Sequence, residues 1–294
     1  MNYQEFLDTL CSMVRLNVDS DTTVELKNVI KNNDTSLDAL TFQRKDSALS
    51  PTIYVNRFYQ DYLAGEDPGE IVKTVLSAFE AAKDQEGLDV SVFSDYEKIR
   101  DRIMFKLVNY RKNRLLLKDT PHIRYLDLAV VFYCLLAEGE ETNATVLLKD
   151  HHLSFWKKTL EDIKEDAKRN TPRFLSAEIT DMKTMLSSFS VMLEDDTEDA
   201  GKQLFVLTNR LKHNGASCLL YQNVLERFSE ELRSDLFVLP SSIHEVLLLP
   251  AEDRSESDTL SALVREVNRT QLSSEEYLSD HVYYYSRESK QLCL

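Results

Sequence analysis

Phe6, Leu7, Leu10, Met13 and Val14 recur at spacings of three and four, which predicts an amphipathic first helix. The period then changes. Thr22 to Ile30 is rich in β-branched residues, Lys31-Asn32-Asn33-Asp34 has the composition of a turn, and Leu37 to Phe42 partly alternates. That segment reads as a β-hairpin. Ile53, Val55, Phe58, Tyr59 and Tyr62 suit a helix ending at Gly65, and Asp67-Pro68-Gly69-Glu70 opens another, with Ile71, Val72, Val75, Leu76 and Phe79 on one stripe. Leu126 to Leu136 is an apolar run that fits either a buried strand or a buried helix. Thr142 to Leu148 alternates as a strand would. Leu153, Trp156, Leu160, Ile163 and Ala167 form the clearest helical stripe in the chain, with Trp156 as its core anchor.

Glu194, Asp195, Asp196, Glu198 and Asp199 crowd the stretch before Gly201, so residues 192–202 read as an acidic linker or loop. It would separate an N-terminal α+β region (1–191), made of a hairpin plus helices, from a C-terminal α+β domain (203–294). Beyond it lie short apolar runs at Leu204 to Leu207, Cys218 to Tyr221, Leu236 to Leu239, Ile243 to Leu249 and His281 to Tyr285. Helical stripes sit between them at Val224, Leu225, Phe228 and Leu232, and at Leu260, Leu263, Val264 and Val267. The order β-β-α-β-β-α-β predicts an α+β fold with a largely antiparallel sheet. No repeat of solenoid length emerges.

With 294 residues, 43% of them hydrophobic, the chain can bury a substantial core. Thirty-five Lys and Arg against fifty Asp and Glu leave a net charge of −15, which disfavours general nucleic-acid binding and anionic membranes. The first residues lack a basic segment followed by an apolar one, and no apolar run approaches the roughly 18 residues of a membrane span. Cys11, Cys134, Cys218 and Cys293 are scattered, without the pairing pattern of a disulfide scaffold. A cytoplasmic protein with reduced thiols is expected.

Phe205-Val-Leu-Thr-Asn209, Gly215-Ala-Ser-Cys-Leu-Leu-Tyr221 and Leu239-Pro-Ser-Ser-Ile-His-Glu-Val246 resemble the signature of an uncharacterised domain-of-unknown-function family of anaerobic gut Firmicutes. Val29-Ile-Lys-Asn-Asn33, Ser50-Pro-Thr-Ile-Tyr54, Pro121-His122, Leu126-Asp-Leu-Ala129 and Ser279-Asp-His-Val282 extend the similarity to essentially the whole chain. The resemblance implies a bacterial cytoplasmic setting and brings no activity, cofactor or catalytic residue.

Ser242, His244 and Glu245 supply the ingredients of a hydrolase. If Ile243 to Leu249 is a strand, however, His244 and Glu245 point to opposite faces; if it is a helix, Ser242 and Glu245 form a capping box. Cys218 is a candidate nucleophile with His244 or His213 as base, although a cysteine in an apolar run is more often inert filler. His151 and His152 are adjacent, which suits no metal pair, and the scattered glycines offer no phosphate cradle. No metal or cofactor is therefore expected.

From Lys98 to Lys118 eight Lys or Arg face the single acid Asp101. Arg100, Arg102, Lys106, Arg111, Lys112 and Arg114 are candidate anion-binding residues, against the reading of a solvated helix face. Tyr283-Tyr284-Tyr285 suggests an edge strand open to augmentation by a partner. The sequence favours a non-enzymatic interaction or regulatory module with a protein partner, and second a small-substrate hydrolase or transferase built on Cys218, Ser242 or His244.

Overall fold

Helix α1 (Tyr3–Leu16) starts with a reciprocal cap, the Asn2 side chain accepting the Glu5 amide and the Glu5 carboxylate accepting the Asn2 amide. The expected stripe is buried, with Cys11 added and Met13 at its margin. This computed structural model describes residues 1–45, 50–83, 90–137, 144–183, 203–251 and 254–294. Strands β1 (Thr22–Ile30) and β2 (Ser36–Arg44) form the expected hairpin, in register from Thr22 opposite Arg44 to Ile30 opposite Ser36. The helix expected from Ile53 begins later. Thr52–Tyr54 is strand β3, pairing Ile53 with Leu40, because the free edge of β2 captures this segment. Helix α2 (Asn56–Leu63) follows, then α3 (Pro68–Lys83), whose first turn Asp67 caps by accepting the Gly69 amide at 2.8 Å. These elements enclose a core of their own, in which Phe42 stacks on Phe79 at 4.2 Å.

The basic stretch is no single helix. It comprises α4 (Tyr96–Ile99), a short 3-10 turn, strand β4 (Ile103–Asn109) and an irregular loop. Ile103, Phe105 and Leu107 alternate inward, a period-two pattern that a helical face would not produce. The apolar run left open above is strand β6 (Leu128–Ala137), pairing on one side with β4 and on the other with β5 (His122–Tyr125) and β7 (Ala144–Leu147). The stripe from Leu153 to Ala167 is divided. Helix α5 (Asp150–Trp156) ends at Lys157, which adopts φ 55°, and Thr159 caps a new helix α6 (Leu160–Phe174). Apolar spacing survived the break because both helices bury the same side. Trp156 is buried as expected, its indole N–H donating to the Phe93 carbonyl at 3.0 Å. The outer edge of β4 is covered by α6 side chains. Thr171 Oγ1 accepts the Phe105 amide, and Asn170 Nδ2 donates to the Arg100 and Ile103 carbonyls.

A third antiparallel sheet follows the order β13-β12-β10-β11-β9-β8, with β8 (Ala177–Asp181), β9 (Phe205–Asn209), β10 (Asp235–Pro240), β11 (Val246–Ala251), β12 (Tyr283–Ser286) and β13 (Gln291–Cys293). The fold is therefore α+β with antiparallel sheets. Inward residues of β4 and β6 share one core with Leu207, Val238, Val246, Leu248 and Tyr283 of this sheet. Helix α7 (Val224–Leu232) joins that core, and α8 (Ser257–Gln271) covers the opposite face, where Val264 meets Phe237 and Leu249.

Cys218 to Tyr221, expected as a strand, lies in a 3-10 turn (Gly215–Leu220) and the residue after it. Both edges of β9 are already taken, by β8 and β11, so this run fills core instead of pairing. Tyr283 is not on an edge. Strand β13 pairs beyond β12, Tyr283 and Tyr285 are buried, and the Tyr284 hydroxyl donates to Asp235 at 2.6 Å. The acidic stretch 192–202 lies outside the described residues, while β8 and β9, on either side of it, pair from Ala177 opposite Asn209 to Asp181 opposite Phe205.

Candidate functional site

The loop after β9 is organised by Asn209, a fully buried amide. Its Oδ1 accepts the Leu211 and His213 amides at 3.1 and 3.4 Å, and its Nδ2 donates to the His213 carbonyl at 2.8 Å. The loop turns at Asn214 with φ 54°, a conformation that asparagine tolerates well. Gly215 then packs directly on the backbone before β11, where any Cβ would collide with Thr208 Oγ1 and the His244 carbonyl. His213 and His244 come together in this way, their rings 5.1 Å apart.

Strand β11 starts at Val246, so residues 241–245 form a turn and not the beginning of a strand. Ser242 Oγ accepts the backbone amide of His244 at 2.9 Å, which folds the segment back on itself. His244 Nδ1 accepts the Asn214 amide at 3.2 Å, fixing the neutral ring as the tautomer that carries its proton on Nε2. The Glu245 carboxylate accepts from Ser241 at 3.3 Å. Ser242 and His244 thus meet through main chain, without the side-chain pairing that activates a hydroxyl. Cys218 is fully buried, and its thiol donates to the Thr208 carbonyl at 3.2 Å. Burial pushes that thiol up to about 12, far from the thiolate a nucleophile needs.

The basic residues separate by role. Arg100 pairs with Glu97 at 3.1 Å and with buried Asp166 at 3.2 Å. Asp166 also accepts from the Tyr96 hydroxyl and from Arg169, both at 2.5 Å. Burial pushes its carboxyl up, but these hydrogen bonds outweigh that effect and hold it low. The groups line a cavity of about 250 Å³ with Lys158, Glu161 and Glu165, in which charges of both signs alternate. Arg102 donates to the Leu136 carbonyl at 2.8 Å, while Arg111 and Arg114 are exposed. Lys112 lies over the Tyr277 ring at 3.4 Å.

Lys106 differs from all of these. It is the charged residue in the β4 run Ile-Met-Phe-Lys-Leu-Val-Asn, on the face opposite the main core, with its ammonium 5.9 Å from the centre of the buried Tyr133 ring. No carboxylate lies within ion-pair distance of it among the described residues. Desolvation, reinforced by the charge of Lys31, lowers it to about 8. Its own charge reaches His213 and His244. Both imidazoles are held below their usual range, by desolvation first, then by His244 and Lys106 at His213 and by Lys106 at His244, where Glu276 and Glu245 pull the other way. His213 also borders a narrow hollow lined by Tyr133, Leu135, Thr145, Leu175 and Leu211.

The structure thus packs His213 beside His244, with Lys106, more than a hundred residues earlier in the chain, near enough for its charge to act on both, and leaves Cys218 and Glu245 in other bonds. Tyr133 and Lys31 had no signal of their own in the sequence. Lys106 did, as a lone charge inside an apolar strand. Among the described residues no group of three or more His, Cys, Asp or Glu is placed to hold a metal ion. No helix among them is long and apolar enough to cross a membrane. No curated protein and no solved structure shows significant similarity to the chain. The sequence profile of the Family of unknown function (DUF5688) matches residues 3–287, and the chain belongs to that family.

Proposed function

We propose that this protein is a non-enzymatic binding module whose ligand is a small anion, held by the Lys106 ammonium with His244 and His213 beside it. The observation that carries this reading is the desolvated Lys106 without a carboxylate partner among the described residues. A ligand carboxylate or phosphate would supply the missing countercharge, and the neutral His244 ring offers it a further N–H donor. The chain's net charge of −15 works against anion binding in general, so the attraction has to come from the local cation. The four free cysteines support the bacterial cytoplasmic setting implied by the resemblance.

The reading is tested by calorimetric titration of wild type and Lys106→Met with inorganic phosphate, acetate and succinate at matched ionic strength. Binding by wild type that is lost in Lys106→Met is the expected outcome. Wild type that binds none of them refutes the proposal. The alternative, a small-substrate hydrolase or transferase, requires turnover of an ester or thioester panel that Cys218→Ala or Ser242→Ala abolishes.

A further inference from the structure

The chain buries its apolar residues in separate cores. Those between Phe6 and Phe79 form one, and those of the main core all lie at Tyr96 or beyond. The β1–β2 hairpin of the first body reaches the second with its tip. Asn33 Oδ1 accepts from Asn113 Nδ2 at 2.9 Å, and the Asn33 amide donates to Asn113 Oδ1 at 2.7 Å. Asp34 accepts the Leu115 and Leu116 amides at 2.8 and 2.9 Å. On the other side of the tip, Asn32 Nδ2 donates to the Glu275 carbonyl at 2.6 Å, and Asn33 Nδ2 donates to the carbonyls of Ser274 and Tyr277 at 2.7 and 2.8 Å. Such a joint exchanges hydrogen bonds to water for hydrogen bonds to protein, so it is favoured by far less than the burial that holds each core. Asn32 Oδ1 is moreover buried there without a hydrogen-bond partner among the described residues, a penalty that exposure to water removes.

The segment held by the tip also supports the candidate site. The Glu276 carbonyl, between the carbonyls bonded by the tip, accepts the Ile243 amide at 2.8 Å, and Ile243 precedes His244. We infer that the hairpin tip is a releasable latch: docked, it holds residues 274–277 against the turn that carries His244, and undocked, it frees the N-terminal body and releases the bond between Ile243 and Glu276. The Thr208 hydroxyl and the Ala216 amide donate to the His244 and Ile243 carbonyls at 2.8 and 3.2 Å, so the rest of the turn stays in place when the latch opens. The latch therefore changes the surroundings of His244 without unfolding them. As a mechanical coupling it holds whatever occupies the site; as regulation of ligand binding it rests on the anion-binding reading above.

Amide hydrogen exchange of the full chain, resolved by NMR, tests the latch. In wild type the Leu115, Leu116 and Ile243 amides should share one opening, with protection factors within about threefold of each other and at least about a hundredfold below those of central β6 amides such as Val131. Asn33→Gly deletes the side chain and suits the φ of 59° at this position. It should speed exchange at all three amides by about tenfold or more, leave β6 unchanged, and shift the ring signals of His244 but not those of His151. Leu115, Leu116 and Ile243 protected as strongly as β6 would show a joint that does not open and overturn the inference. Ile243 protected while Leu115 and Leu116 exchange fast overturns it as well, because docking then does not reach the turn. The wild-type comparison decides the matter even if the variant does not fold. Titration of wild type with inorganic phosphate separates the two claims: shared opening without phosphate binding leaves the latch standing and removes only its role in regulating that ligand.

Discussion

Replacing Lys106 by methionine should stabilise the protein while abolishing the proposed anion site. Methionine matches the unbranched lysine side chain as far as its Cε and drops only the ammonium, so it removes the charge with little change in shape. The amine falls from 10.5 to about 8 on folding, and at about 1.4 kcal/mol per pKa unit this makes the charged form cost roughly 3 kcal/mol at neutral pH. Lys106 is partly exposed, so solvent screening reduces the expected gain to about 1.5–3 kcal/mol. The sign follows from proton counting. Below about pH 8 both folded and unfolded chains carry the proton, and the whole penalty is present. As pH rises through about 8 toward 10.5 the folded chain sheds its proton while the unfolded chain keeps it, and the penalty disappears. Lys31, His213 and His244 face the same amine, and the two imidazoles titrate below this window. Buried tyrosines such as Tyr283 destabilise the fold as pH climbs further in both proteins, while burial keeps Tyr133, the ring against Lys106, protonated in the folded state over this window, so the difference between the proteins reports on Lys106. Urea unfolding of both proteins at about pH 7 and about pH 10 measures that difference. A variant less stable than wild type at neutral pH, or a gain that fails to shrink at high pH, refutes the claim that this amine is an unpaired, desolvated charge.

Three further outcomes follow from the same geometry. Gly215→Ala forces a Cβ onto the His244 carbonyl and should cost about 1–3 kcal/mol, with anion affinity falling alongside the thermal midpoint; full affinity and stability would show that the close approach is dispensable. Asp34→Ala removes the acceptor for the Leu115 and Leu116 amides and should cost about 1–2 kcal/mol, read as faster hydrogen exchange at those amides. Cys218, with its thiol raised to about 12, should resist iodoacetamide in the native state and react after unfolding, as peptide mapping by mass spectrometry would record.

What the sequence determined by itself were features set by local period and local chemistry. The α1 stripe, the Asn32–Asp34 turn, the start of α3 at Asp67-Pro68 and the two C-terminal helices are specified by residues within one or two turns of each other. Lys106, His213 and His244 were each visible as candidates. Tertiary structure decided the rest, because the deciding partners are distant in sequence. Whether Leu126 to Leu136 is strand or helix depends on β4, β5 and β7 being available to pair with it. Whether Cys218 to Tyr221 becomes a strand depends on β8 and β11 having already occupied both edges of β9. Spacing could not divide α5 from α6, since both bury the same side of the stripe. A residue's charge is likewise written in the sequence, but its environment is not. Arg100 and Lys106 are six positions apart, and the fold gives the first two carboxylates and the second a tyrosine face and another lysine. Desolvation and the absence of a carboxylate partner among the described residues, not the identity of the residue, make Lys106 the centre of the candidate site.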